Sequence, residues 1–180
     1  MWGTLSLHPT FANSRQIWAT LFGYGPPCAL MIQPKSMSTL CEITLRVRYA
    51  ETDQMGVAHH SNHIVWFEVG RVELLRQLGF SYREMEQDGM NLPVVEVKCR
   101  YKHPVRYDDE ITIRTRLAQM RGKILRFQYE VVRKSDDRLL AEGETVHVVV
   151  GRDMKPARLT EKYRGALQAA AERADGATQS

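Results

Sequence analysis

No stretch of this 180-residue chain approaches the roughly 18 unbroken apolar residues that a membrane-spanning helix needs, so no membrane span is expected. Cysteine is scarce as well. Cys28, Cys41 and Cys99 are odd in number, widely spaced and outside any C-x-x-C pattern. That argues against a disulfide framework or a zinc knuckle and fits a reducing, cytoplasmic setting. There is no basic run interleaved with aromatics, no helix-turn-helix signature and no RNA-recognition motif, so nucleic acid is not an expected partner. The net charge of +4 suits an anionic small ligand as well as a nucleic acid and decides nothing by itself.

Acidic residues are missing altogether from the first forty positions, where Arg15 and Lys35 are the only Lys or Arg. An acid-free start suggests a targeting peptide, but a transit peptide is richer in Arg and Ser, and a secretory signal needs a basic start and a continuous apolar stretch. A start codon placed too early, with Met37 opening the working protein, accounts for the same composition. Residues 1–38 are therefore expected to be an extension, residues 39–158 the working domain, and 159–180 a closing helix and tail.

What is present is ordinary globular material: 43% hydrophobic and 26% charged residues, enough for one domain with a real core. Ile43, Leu45, Val47 and Tyr49 alternate with polar residues, the period of a half-buried strand. A Gly-containing loop leads to a helix over 61–78, capped by Ser61 or Asn62 and ended near Gly79. Its apolar residues cover most of its circumference, which implies a helix wrapped by other structure. Ser81 caps a short helix through Gln87. Four alternating strands follow: Val95 to Lys102, Ile111 to Leu117, Leu125 to Val131 and Leu139 to Val150. The last ends nearly continuous, as in a central strand. Arg121-Gly122 and Ser135-Asp136-Asp137 are tight-turn sequences that favour antiparallel neighbours. The fold class is α+β. A curved antiparallel sheet around one helix satisfies the order of elements, and so does an ordinary α+β sandwich. An open five-stranded sheet leaves an unpaired edge that an edge-to-edge dimer removes.

The chemistry-bearing segment runs from Tyr49 through Asp53, Gly56, His59, His60 and His63. It puts a carboxylate and a turn ahead of histidines at a helix start, where free N–H groups and the positive pole of the dipole lie. Such groups suit a carbonyl oxygen whose negative charge grows in the transition state. A carboxylate opposite can attack the carbon or deprotonate a water that does so. Asp53 can equally cap its own turn. The three histidines invite a metal reading, but H-E-x-x-H is absent and no fourth ligand is evident, so neither metal nor cofactor is expected. Glu68 and Arg71, three apart, read first as an ion pair that braces the site or a dimer contact. Lys98, Arg100, Lys102, Arg106 and Arg121 read as a solvated face, some of which could meet phosphates.

The stretch Tyr49-x-x-Thr52-Asp53-x-x-Gly56-Val57-x-x-His60-x-Asn62, with Glu68 and Arg71, resembles the signature of hotdog-fold acyl-CoA thioesterases. The likeness is to the 4-hydroxybenzoyl-CoA thioesterase-like group, including the thioesterase encoded beside the Tol-Pal system. It extends through Pro104-Val-Arg106-Tyr-Asp108-Asp109, Met120-Arg121-Gly122 and Met154-Lys155-Pro156. The resemblance implies a five-stranded sheet wrapped around one long helix, plus a short C-terminal helix. It implies a subunit that associates by sheet pairing into a dimer or tetramer, with acyl-CoA as substrate. It implies Asp53 as nucleophile or general base, His60 assisting and Tyr49 close by. Gly56, Val57, His59, Ser61, Asn62 and His63 are the implied substrate-binding residues, with backbone N–H groups near His59 to Ser61 polarising the thioester. The sequence departs from the family's usual aromatics at His59 and His63, and imidazoles there imply a more polar pocket and a more pH-sensitive rate. An acyl-carrier-protein thioesterase and a non-catalytic acyl-CoA-binding protein remain as alternatives. Met55, Trp66 and Phe67 are expected to set pocket depth.

Overall fold

The computed structural model describes residues 41–176, so the expected extension over 1–38 lies outside the described residues. Five strands form one antiparallel sheet: β1 Cys41–Arg46, β2 Val94–Tyr101, β3 Glu110–Arg121, β4 Ile124–Arg133 and β5 Arg138–Val148. Their spatial order is β1-β3-β4-β5-β2. Helix α1 spans His60–Gln77, α2 Tyr82–Gln87 and α3 Glu161–Gly176. Helix α1 lies against the sheet and α3 packs on β3.

The period-two reading holds where a strand has neighbours on both sides. Ile111, Ile113, Thr115 and Leu117 of β3, and Leu125, Phe127, Tyr129 and Val131 of β4, all point inward and are buried. Their hairpin closes on Gly122 at φ +60. Strand β5 sits between β4 and β2 as the central-strand reading required, although it ends at Val148 and Val150 makes only isolated bridges with Asn91 and Pro156. Ser81 caps α2 with a reciprocal capping box to Glu84.

Three expectations are corrected. Strand β1 stops at Arg46 and Tyr49 opens a 3-10 turn, Tyr49–Glu51, that carries it off the strand face. Strand β2 is an edge strand, and Val94, Val95, Val97 and Tyr101 are exposed, with only Tyr101 of the four reaching α1. Helix α1 is buried on one stripe, His63, Trp66, Phe67, Gly70, Arg71, Leu74 and Leu75, while Ile64, Val65 and Val69 are exposed. Five strands cover one side of it, not its circumference.

The helix approaches the sheet closely because glycine permits it. A Cβ on Gly143 would lie 2.3 Å from the Phe67 ring, and one on Gly70 2.3 Å from Thr115 Oγ1. Phe67 stacks on Tyr129 with centroids 4.5 Å apart. Below that stack runs a buried polar chain of fixed polarity. His147 Nδ1 is 2.9 Å from Leu92 O; a carbonyl only accepts, so that nitrogen carries the hydrogen. Nε2 must then accept from Thr145 Oγ1 at 2.9 Å, and Thr145 in turn accepts from the Tyr129 hydroxyl at 2.7 Å. Burial pushes the His147 pKa down to about 4, so the ring is neutral.

Candidate active site

The loop between β1 and α1 is a small closed structure, and its closure places Asp53. Thr52 and Ala58 form an isolated antiparallel bridge. Inside it, Asp53 N donates to Val57 O at 2.9 Å and Gly56 N donates to Asp53 O at 2.9 Å. Gly56 turns the chain at φ +70, a conformation side chains disfavour. Met55 N donates to Asp53 Oδ1 at 2.8 Å, so one carboxylate oxygen does cap its turn. The other, Oδ2, has no hydrogen-bond partner among the described residues and is left for substrate or water.

A buried carboxylate anchors this loop, one that no motif in the sequence singled out. Glu51 accepts from Arg48 N at 2.7 Å, from Arg48 Nη2 at 3.0 Å and from Trp66 Nε1 at 3.0 Å. Burial works to raise its pKa, but these donors outweigh it and hold the carboxyl below the usual range. Its backbone carbonyl accepts from His59 N and from Asn62 Nδ2, both at 2.7 Å. Ala58 N donates to Val105 O at 2.7 Å, tying the loop to the segment before β3. The Arg48-to-Glu51 spacing was the available signal, but without Ser or Thr at its first position it does not read as a capping box.

Helix α1 begins one residue earlier than the pattern indicated. Its cap is His59, whose Nδ1 lies 2.8 Å from Ser61 Oγ and 3.4 Å from Ser61 N. Ser61 and Asn62, expected as caps, lie in the first turn. Asn62 instead holds the Glu51 carbonyl. Because His59 N is spent on Glu51 O, Asn62 N on His59 O and Ser61 N on the His59 ring, His60 N is the N–H of the first turn without an acceptor among the described residues. It lies at the positive end of an 18-residue helix.

The side chains of His59 and His60 are exposed and their rings lie 4.1 Å apart. Tyr101 donates its hydroxyl to His60 O at 3.1 Å. His63 is buried between Tyr101 and Trp66, at 4.9 and 4.8 Å between centroids. Burial pushes its pKa down to about 4, so the ring is neutral at neutral pH. Val57 is half-buried. The Tyr49 ring is 77% exposed, points to solvent and sits edge-on to Tyr107. Its hydroxyl makes no hydrogen bond to Asp53 or His60 among the described contacts. Met55 is exposed, while Trp66 and Phe67 are core.

The pair expected between Glu68 and Arg71 does not form. Glu68 is exposed, whereas Arg71 is buried with its guanidinium 5.1 Å from the centroid of the Tyr82 ring. The basic face resolves in part: Lys98 pairs with Glu96 at 2.8 Å, Arg100 with Glu142 at 3.2 Å and Lys102 with Glu142 at 3.0 Å. Arg106 and Arg121 have no ion pair among the described residues.

A single antiparallel sheet packed on one long helix, with a carboxylate held in the tight loop that leads into that helix, is the arrangement of a hotdog-fold thioester hydrolase. The comparisons with known proteins agree. Residues 47–167 match the Thioesterase-like superfamily, and the chain belongs to that family. It is similar to the acyl-CoA thioester hydrolase YbgC of Escherichia coli, with 33% identity over 123 residues, 68% of this chain and 91% of the relative. Among solved structures it is similar to DHNA-CoA thioesterase from Staphylococcus aureus (30% identity, TM-score 0.69, 77% of this chain and 92% of that one). It is also similar to protein TT1821 from Thermus thermophilus (39% identity, TM-score 0.69, 72% of this chain and 98% of that one).

Proposed function

We infer that this protein hydrolyses the thioester of a short aliphatic or aromatic acyl-CoA, giving the free acid and CoA. The observation that carries the reading is the placement of Asp53. Its Oδ1 is held by Met55 N and its Oδ2 is uncommitted. The same loop is hydrogen-bonded to the first turn of α1, where His60 N has no acceptor among the described residues and Ser61 N has the 3.4 Å bond to the His59 ring. A thioester carbonyl lodged there has its oxygen drawn by the helix start, His60 N foremost, and its carbon open to Asp53 or to a water that Asp53 deprotonates. On the base route the C–S bond then breaks and the CoA thiolate recovers the proton that Asp53 took from water; on the nucleophile route the same cleavage leaves an acyl anhydride on Asp53, which water opens to the free acid.

His60 is the assisting group, at the mouth of the site. Tyr49 stands at its approach. Gly56, Val57, His59, Ser61, Asn62 and His63 form the surroundings of the acyl group, with neutral His63 behaving as a flat polar wall. The names of the similar proteins, an acyl-CoA thioester hydrolase and a DHNA-CoA thioesterase, support CoA as the handle and admit an aromatic acyl group.

The exposed apolar strip of β2, with Val94, Val95, Val97 and Tyr101, supports self-association through that edge. No described helix is long and apolar enough to cross a membrane. Cys41 and Cys99 are free thiols, which supports a reducing, cytoplasmic setting.

The test is release of free thiol from a panel of short, long and aromatic acyl-CoAs, with the carrier-protein form of the best acyl group alongside. Asp53→Asn should lose at least about 100-fold in kcat. Unchanged turnover in that variant would defeat the mechanism. Label found in Asp53 after one turnover in isotopic water would mark the nucleophile route over the base route.

A further inference from the structure

Three consecutive residues where the loop enters α1 are each tied to a different part of the chain. Ala58 N donates to Val105 O at 2.7 Å, and His59 N donates to Glu51 O at 2.7 Å. The His60 carbonyl accepts from the Tyr101 hydroxyl at 3.1 Å. The first two ties join backbone to backbone, and any residue but proline makes them. The third is a side chain reaching from the last residue of β2, so it depends on which residue stands at 101.

Tyr101 is 47% exposed, so filling the core does not account for it. Partial burial, with Cys99 beside it, pushes its hydroxyl up to about 12, and the phenol is therefore a donor at neutral pH. Its backbone is fixed by β5. Tyr101 stands opposite Ala141, and Lys102 N and His103 N both donate to Leu140 O, at 2.8 and 3.0 Å. Its ring meets His63 edge to face, centroids 4.9 Å apart at 84°. His63 leans on Trp66 at 4.8 Å, and Trp66 donates to Glu51. The row of rings behind Tyr101 thus ends on the carboxylate that anchors the Asp53 loop.

With Ala58 and His59 held by their backbones, the freedom left in the first turn lies at His60. Its N–H is the one without an acceptor among the described residues, and no other group outside α1 donates to its carbonyl among them. A hydroxyl on that carbonyl restricts the residue and polarises the peptide that joins it to Ser61. A donor aimed at developing charge contributes most when it need not reorganise as the charge appears.

We propose that Tyr101 is a positioning residue for the hydrolysis, holding His60 so that its N–H meets the thioester oxygen. The proposal rests on the acyl-CoA reading above and deepens it. It adds a residue 41 positions along the chain, on a different element from the loop and the helix that carry the reaction.

The experiment compares wild type, Tyr101→Phe and Tyr101→Ala in steady-state hydrolysis of one acyl-CoA, with thermal unfolding and light scattering on the same samples. Tyr101→Phe keeps the ring against His63 and removes the hydroxyl alone. It should lower kcat about tenfold, the scale of a modest misplacement of a reacting group. KM should stay as in wild type, because the interaction lost is one made in the transition state. The unfolding temperature and the assembled mass should also stay as they are. Tyr101→Ala should lower kcat at least as far, and the unfolding temperature with it, since His63 loses its neighbour.

An unchanged kcat in Tyr101→Phe would overturn the proposal and leave the hydrolase reading intact. So would a loss of kcat in that variant accompanied by a lower unfolding temperature or a smaller assembled mass. Tyr101 would then serve stability or the β2 edge, not His60. A raised KM with kcat unchanged would overturn it as well, marking Tyr101 as a substrate contact. No turnover of any acyl-CoA by wild type would sink the functional reading and this proposal with it.

Discussion

The indole N–H of Trp66 donates to Glu51 Oε1 at 3.0 Å, joining the second turn of α1 to the loop that carries Asp53. Trp66 is thus both core and brace. Its ring fills the space between helix and sheet, and its one polar atom satisfies a buried carboxylate. Trp66→Phe should remove the donor to a charged acceptor and some packing, costing about 2 kcal/mol or more. Urea unfolding followed by circular dichroism measures the loss; a variant as stable as wild type would deny Glu51 its anchoring role.

Asn62 holds the same loop from the other side, through Nδ2 on the Glu51 carbonyl at 2.7 Å. Its loss frees the loop without touching the reacting atoms. Asn62→Ala should lower kcat roughly tenfold, because small misplacements of a reacting group are costly. Steady-state kinetics decides, and an unchanged kcat would show that the remaining bonds hold Asp53 by themselves.

Acid should destabilise the fold through its histidines. His63 and His147 are buried with pKa values near 4, against an ordinary 6.5. Between those values the unfolded chain binds protons that the folded chain refuses, so stability is complete above about pH 6.5 and falls as pH drops toward 4. Each histidine accounts for up to about 3 kcal/mol across that window. The depressed pKa of Glu51 adds a further loss, in the same direction, below its unfolded value. A urea midpoint that stays flat from about pH 7 down to about pH 4.5 would contradict this.

Gly143 faces the Phe67 ring where a Cβ would stand 2.3 Å away and also 3.0 Å from Lys98 O. Neither neighbour is free to yield: the ring is stacked on Tyr129 and the carbonyl belongs to a strand. Gly143→Ala should cost about 1–3 kcal/mol by overpacking. Thermal unfolding reads it directly, and a neutral outcome would mean that the helix can shift off the sheet.

Much of this protein is determined by the sequence acting over short distances. The alternation in β3 and β4, the Ser81 capping box and the Asp53-to-Gly56 turn depend on neighbours a few residues away, and each is where the sequence placed it. The motif of Tyr49, Asp53, Gly56 and His60 carried the family and the reaction for the same reason. The tertiary structure decided what depends on partners far along the chain. Whether β2 is covered is a question of strand order, not of its own alternation, and its valines are bare because β5 alone pairs with it. Glu51 is a keystone because α1 brings Trp66 to it, 15 residues on. Arg71 turns to Tyr82 and leaves Glu68 to solvent, since the faces they occupy are set by where the sheet lies. Tyr49 and Tyr107 meet only because β1 and β3 are paired. Periodicity tells which residues share a face of an element; which faces find a neighbour is settled by packing the whole chain.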